Sequence, residues 1–236
     1  MFVTIIELIQ NGASAGDIIT AVIMMAIAIL SGLCIHEAAH AYAAYLCGDD
    51  TAKSQGRLSL NPLDHIDPLG ALLMFLTGLG WAKPVQIDPR KFRSRRSGVI
   101  ITSLAGVFAN FILGFVAAAV YAVIVVFSSG SAVAEMVERL FIYIMQINLS
   151  LCVFNLLPIP PLDGSRVVEA LLPPKAAVKY AAFARYSYYV LLGLIILERV
   201  SGISILGTIL SVPVNLLSRF YFFSIENVLN LFGWLL

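Results

Sequence analysis

The sequence predicts an all-α polytopic membrane protein, and three observations lead there. Of the 236 residues 60% are hydrophobic and only 12% charged, and the mean hydropathy is +0.92, well above that of a water-soluble domain. The apolar residues gather into long runs, such as 18–35, that carry no charge at all. Four of these runs are long enough to cross a bilayer, and two more, 69–80 and 200–236, are too short or interrupted, so about four to six transmembrane helices are expected, with re-entrant or irregular segments among them.

Taken in order, the N-terminal MFVTIIELIQ lacks the basic start and small-residue cleavage site of a signal peptide and reads as a short interfacial or frayed helix. Spans are expected at 18–46, 98–127, 139–157 and 178–197, each supplying the roughly 20 apolar residues a crossing requires. The stretch 69–80, LGALLMFLTGLG, is too short to cross, has three glycines, and fits a re-entrant turn or hairpin. Residues 200–236 are apolar but broken by Arg199, Pro213, Arg219 and Glu226; a fifth span, a re-entrant hairpin and an interfacial helix all fit. No internal repeat divides the chain, so 1–236 reads as a single membrane-embedded domain.

Charge orients the spans. Segment 83–96, KPVQIDPRKFRSRR, holds six Lys/Arg against one Asp, and positively charged loops face the cytoplasm. If 69–80 does not cross, Lys53, Arg57, Arg166, Lys175, Lys179 and Arg185 lie on that side too, making twelve of the fifteen basic residues cytoplasmic. A formal net charge of +1 argues against nucleic acid as a partner. Cys34, Cys47 and Cys152 form no CxxC and read as small buried apolar residues.

Within the first span His36-Glu37-Ala38-Ala39-His40 spells HExxH. Spacing of i, i+4 stacks the two imidazoles on one helix face, where they can grip one zinc ion, and Glu37 stands beside them to accept a proton from water. Counted from Ile18, His36 lies roughly 27 Å along the helix, near the cytoplasmic end of a hydrocarbon core about 30 Å thick. Ionisable residues at such depth are costly and mark functional sites. Catalytic zinc takes a third protein ligand and keeps one open position. Asp163 is the best candidate: in FNLLPIPPLDGSRVV the span 139–157 runs into prolines, and the same charge argument brings this irregular segment to the cytoplasmic end. The competing reading is an ordinary Asp-Gly turn whose aspartate caps the next helix.

Together HEAAH, GRLSLNPLDHIDPLG (56–70), GWAKPVQIDPRKFR (80–93), LAGVFAN (104–110) and FNLLPIPPLDG (154–164) resemble the short bacterial form of the site-2 protease family of intramembrane zinc metalloproteases. The likeness covers about 18–175 and leaves the helices of 178–236 outside it; the pairing of NxxPxPxxDG with HExxH is its most specific part. It implies hydrolysis of peptide bonds in transmembrane or membrane-associated substrates at a bacterial cell membrane. One zinc per chain would be held by His36, His40 and Asp163, with Glu37 as general base. The length leaves no room for the PDZ domain of longer relatives. Val107 stands where the family's AGPxxN pattern has proline.

Three further polar residues invite roles. Asn155 and Asn110 are amides in apolar helices that could hydrogen-bond substrate backbone or an oxyanion, or simply join helices. His65, in NPLDHIDP, is first a loop histidine held by Asp64 or Asp67, and otherwise an accessory metal ligand or electrophile. A metal or ion transporter, or a non-proteolytic protein of the same fold, would share the hydropathy and the broken helices. Neither needs a glutamate directly after the first histidine.

Overall fold

A computed structural model describes residues 8–70, 82–127 and 130–233. Helix α1 (Ala15–Cys47) leads into two single-turn helices, α2 (Thr51–Ser54) and α3 (Pro62–His65). Further along the chain come α4 (Arg95–Phe127), α5 (Ala132–Leu156), the short α6 (Asp163–Leu171), α7 (Pro174–Ser201) and α8 (Ile205–Gly233). Among the described residues five helices, α1, α4, α5, α7 and α8, are long and apolar enough to cross a membrane, so the chain is an all-α multi-pass membrane protein. Residues 71–80 of the proposed hairpin and residues 1–7 of the N-terminal segment lie outside the described residues.

Local chemistry sets the helix ends. Ser14 and Asp17 form a reciprocal capping box at the start of α1, and Gly48 ends it in the left-handed conformation, φ 111°. The third span begins well before residue 139, because Ser131 caps α5 and accepts from the Ala134 N–H; its first turns carry Glu135, Glu138 and Arg139 and are therefore not apolar. Residues 205–233, which the sequence left open, form one helix with Pro213 inside it.

The molecule is arranged as bilayer solvation requires. Ile19, Ile23 and Ile27 form an exposed stripe on α1, while Met25, Ala28, Gly32, His36 and His40 face inward. On α4 the buried positions Gly106, Asn110, Gly114, Ala117 and Ala118 make a seam of mostly small residues, which lets α1 and α5, its main partners, approach closely. Tyr221 of α8 closes the core among Ala117, Ala118, Met145 and Leu149, its hydroxyl donating to the Phe111 carbonyl.

The prolines after α5 free backbone carbonyls that must find donors away from water. Helix α7 supplies them: Tyr180 OH donates to Pro158 O at 2.9 Å and Ser187 Oγ to Pro160 O at 2.8 Å. Gly164 lets α6 start against the end of α5, since a Cβ there would lie 2.2 Å from Leu156 O. Asp163 is thereby fixed at the first turn of α6.

Candidate metal centre

His36 and His40 project from the inward face of α1 with their rings edge to face, centroids 4.5 Å apart. Their Nε2 atoms are 3.0 Å apart, and Asp163 Oδ2 lies 3.2 Å from each. All three side chains are buried.

Hydrogen bonds behind the rings decide what these atoms present. His40 Nδ1 lies 2.7 Å from the Thr102 carbonyl, an acceptor only, so Nδ1 carries the proton and Nε2 a lone pair. His36 Nδ1 lies 2.6 Å from Asn110 Oδ1. The orientation of that amide follows from its own partners, because Asn110 Nδ2 donates to Gly32 O at 3.1 Å and to Asn148 Oδ1 at 2.8 Å. Asn148 is oriented in turn by donating to Ile144 O. His36 therefore also turns a lone pair inward.

Two imidazole lone pairs and a carboxylate oxygen thus converge with no proton among them, and Asp163 Oδ2 is a buried oxygen without a hydrogen-bond partner. A cation is what this set lacks. Ligand atoms about 2.05 Å from a tetrahedral zinc stand roughly 3.3 Å from one another, close to the triangle found here. Space is reserved as well: a Cβ on Gly106 would lie 2.6 Å from His40 Nε2 and 2.7 Å from the His36 ring. Among the described residues His36, His40 and Asp163 form a group able to hold a metal ion, and they fit zinc.

Glu37 lies beside this group, half-buried. Its Oε2 accepts the Val85 N–H at 2.8 Å. That bond is one stitch of a seam joining loop 82–94 to the end of α1. Lys83 N donates to His65 O, Asp88 N to Asp49 Oδ2 and Arg93 N to Cys47 O, while Lys91 Nζ reaches Asp50 Oδ1 at 2.7 Å. Asp49 is fully buried, so its carboxylate is spent on holding the loop.

The other sequence candidates sit differently. Asn110 is fully buried and its amide is bonded to His36, Gly32 and Asn148, behind His36. His65 lies outside the metal-capable group; it is buried, its Nε2 lies 2.8 Å from Ser59 O, and neither Asp64 nor Asp67 holds it. Asn155 donates to Leu151 O within its own helix. Sequence reasoning missed Asn148, Thr102, Gly106 and Val85. Asn148 had a signal, a polar residue in an apolar helix; Thr102 and Val85 contribute backbone groups, which leave none.

The fold and this cluster define a class: a multi-pass membrane protein with two imidazoles and a carboxylate held at metal-binding separations inside its helix bundle. The model of Peptidase family M50 matches residues 120–197. "Putative zinc metalloprotease YwhC" of Bacillus subtilis is 39% identical over 176 residues, 73% of this chain and 80% of that protein. "Putative zinc metalloprotease Rip2" of Mycolicibacterium smegmatis is 32% identical over 178 residues, 71% of this chain and 64% of that protein. Rip2 of Mycobacterium tuberculosis H37Rv is 30% identical over 202 residues, 83% of this chain and 74% of that protein. No solved structure matches. The chain belongs to Peptidase family M50, the site-2 protease family of membrane zinc metalloproteases.

Proposed function

We propose that this chain is an intramembrane zinc endopeptidase, cutting transmembrane or membrane-bound peptides near the cytoplasmic face, with one zinc held by His36, His40 and Asp163. The observation that carries this reading is the convergence of three unprotonated donors, their tautomers fixed from behind by Asn110 and Thr102. The names of the relatives support it.

Bound there, zinc supplies Lewis acidity, acidifying water and polarising a carbonyl oxygen. Glu37 is the proton carrier. Anchored through Oε2 by the Val85 N–H, its carboxylate takes a proton from the attacking water and returns it to the amine that leaves. Asn110 and Thr102 keep both imidazoles neutral at Nε2 and fixed in direction. The bundle walls exclude bulk water, which strengthens each of these interactions.

A peptide inside a transmembrane helix has its carbonyls already paired, so it must unwind locally before attack. Substrates whose spans contain Gly, Asn or Pro open most readily, an interior Gly weakening a helix by about 1 kcal/mol and Pro by about 3. Loop 82–94 passes beside Glu37 at Val85 and could hold an opened strand by its backbone. The test is purified protein with a tagged single-span substrate, with and without a zinc chelator. Cleavage that the chelator stops and added zinc restores is expected; cleavage indifferent to the chelator would refute the reading.

A further inference from the structure

Behind the metal centre lies a second cavity, of about 580 Å³, between the loop before α4, the first turns of α4, helix α6 and the start of α7. Arg95, Arg96 and Arg166 line it with one carboxylate, Glu169, and Phe92, Val99 and Ala170 give it apolar walls. Among the described residues Arg95 and Arg166 make no ion pair, and Arg96 reaches only the Leu171 carbonyl, at 3.4 Å. The three arginines are exposed and gather positive charge at one cavity, which an anion would balance.

Position narrows the choice of anion. Helix α4 has 33 residues, roughly 50 Å at 1.5 Å per residue, which exceeds the hydrocarbon core of about 30 Å and reaches through the headgroup layers as well. The charged residues of α4 are confined to its first two positions, and 97–127 carry none. The uncharged length is more than enough to fill the hydrocarbon, so Arg95 and Arg96 lie outside it, toward the headgroups, on the face where α1 ends and α7 begins. We propose that this cavity binds one acidic phospholipid, its phosphate held by Arg95, Arg96 and Arg166 and the start of its acyl chains lying against Phe92, Val99 and Ala170. Arginine forks suit phosphate oxygens, and basic pockets between membrane helices at the headgroup layer take such lipids.

The cavity also touches what holds the metal ligands. Thr102, on its wall, is the residue whose carbonyl accepts from His40, and Arg166 follows Asp163 by three residues in α6. A lipid bridging α4 and α6 there braces both elements from behind.

The test is native mass spectrometry of the full chain in detergent with added phosphatidylglycerol, phosphatidylethanolamine or phosphatidylcholine. A retained phosphatidylglycerol adduct is expected, weakened about tenfold by Arg95→Gln and again by Arg166→Gln, and unchanged by Arg219→Gln on α8. If the arginine variants fail to fold, Ala177→Trp, which fills the cavity without removing charge, must lower the adduct as well. Equal retention of either zwitterionic lipid, or an adduct untouched by every cavity variant, would overturn the proposal. So would full displacement by millimolar inorganic phosphate, which would mark an anion site without a lipid.

Discussion

Asn110 Oδ1 stands 2.6 Å from His36 Nδ1, and the same amide spans the bundle to Gly32 on α1 and Asn148 on α5. One buried side chain thus ties three helices together and fixes which nitrogen of His36 faces inward. Asn110→Leu should weaken zinc binding about 10- to 100-fold, and Asn148→Leu should fall at the lower end of that range. Competition with a chromophoric chelator measures both; unchanged affinity in Asn110→Leu would show that the amide only joins helices.

Among Gly98, Gly106 and Gly114 of α4, Gly106 is the one where an added methyl would enter the metal centre directly. Gly106→Ala should empty the site of zinc. Gly114→Ala, about two turns further along, should keep zinc, since its new carbon would meet Tyr221 at 3.3 Å and the Met145 carbonyl at 3.5 Å, away from the histidines. Gly164→Ala should lose zinc by another route, pushing α6 and Asp163 away from the end of α5. Metal analysis of the three purified variants decides, and equal zinc in all of them would contradict the geometry.

Val85 contributes only a backbone donor to Glu37. Val85→Pro removes that donor, and Val85→Ala keeps it. The first should slow cleavage about tenfold or more, in line with losing one hydrogen bond to a charged group, with zinc content unchanged. The second should be close to wild type. Matching rates in both variants would remove the loop from the mechanism.

Segment 83–96 and the basic residues of 166–185, which lie on α6 and the first half of α7, should be on the cytoplasmic side and residue 131 on the opposite face, because basic residues concentrate on the side where α1 ends. With Cys34, Cys47 and Cys152 replaced by alanine, single cysteines at 91 and 131 can be labelled from outside intact cells. Residue 131 should react and residue 91 should not; the reverse pattern would invert the topology.

The fold was legible because hydropathy reports bilayer contact directly, and lipid-facing runs such as Ile19, Ile23 and Ile27 cannot be mistaken for soluble surface. Helix ends were less legible. The start of α5 is polar, so a hydropathy reading began it at 139 rather than 132. The residues His36, Glu37, His40 and Asp163 could be named from motif spacing and proline placement. Their supports could not: Asn110 read first as a helix–helix hydrogen bond and otherwise as a substrate contact, and only its three partners place it behind the histidine. Val85 and Thr102 act through N–H and C=O groups that every residue carries, so no sequence pattern could have singled them out.

The central claim is that His36, His40 and Asp163 hold the metal while Glu37 moves the proton. Zinc content and cleavage rate measured side by side on the purified wild type and on His36→Ala, His40→Ala, Asp163→Ala and Glu37→Gln test it most directly. The account predicts close to one zinc per chain in the wild type and in Glu37→Gln, loss of zinc in the other three, and no cleavage in any of the four variants. Undiminished cleavage by Glu37→Gln, or full zinc retention after Asp163→Ala, would contradict it.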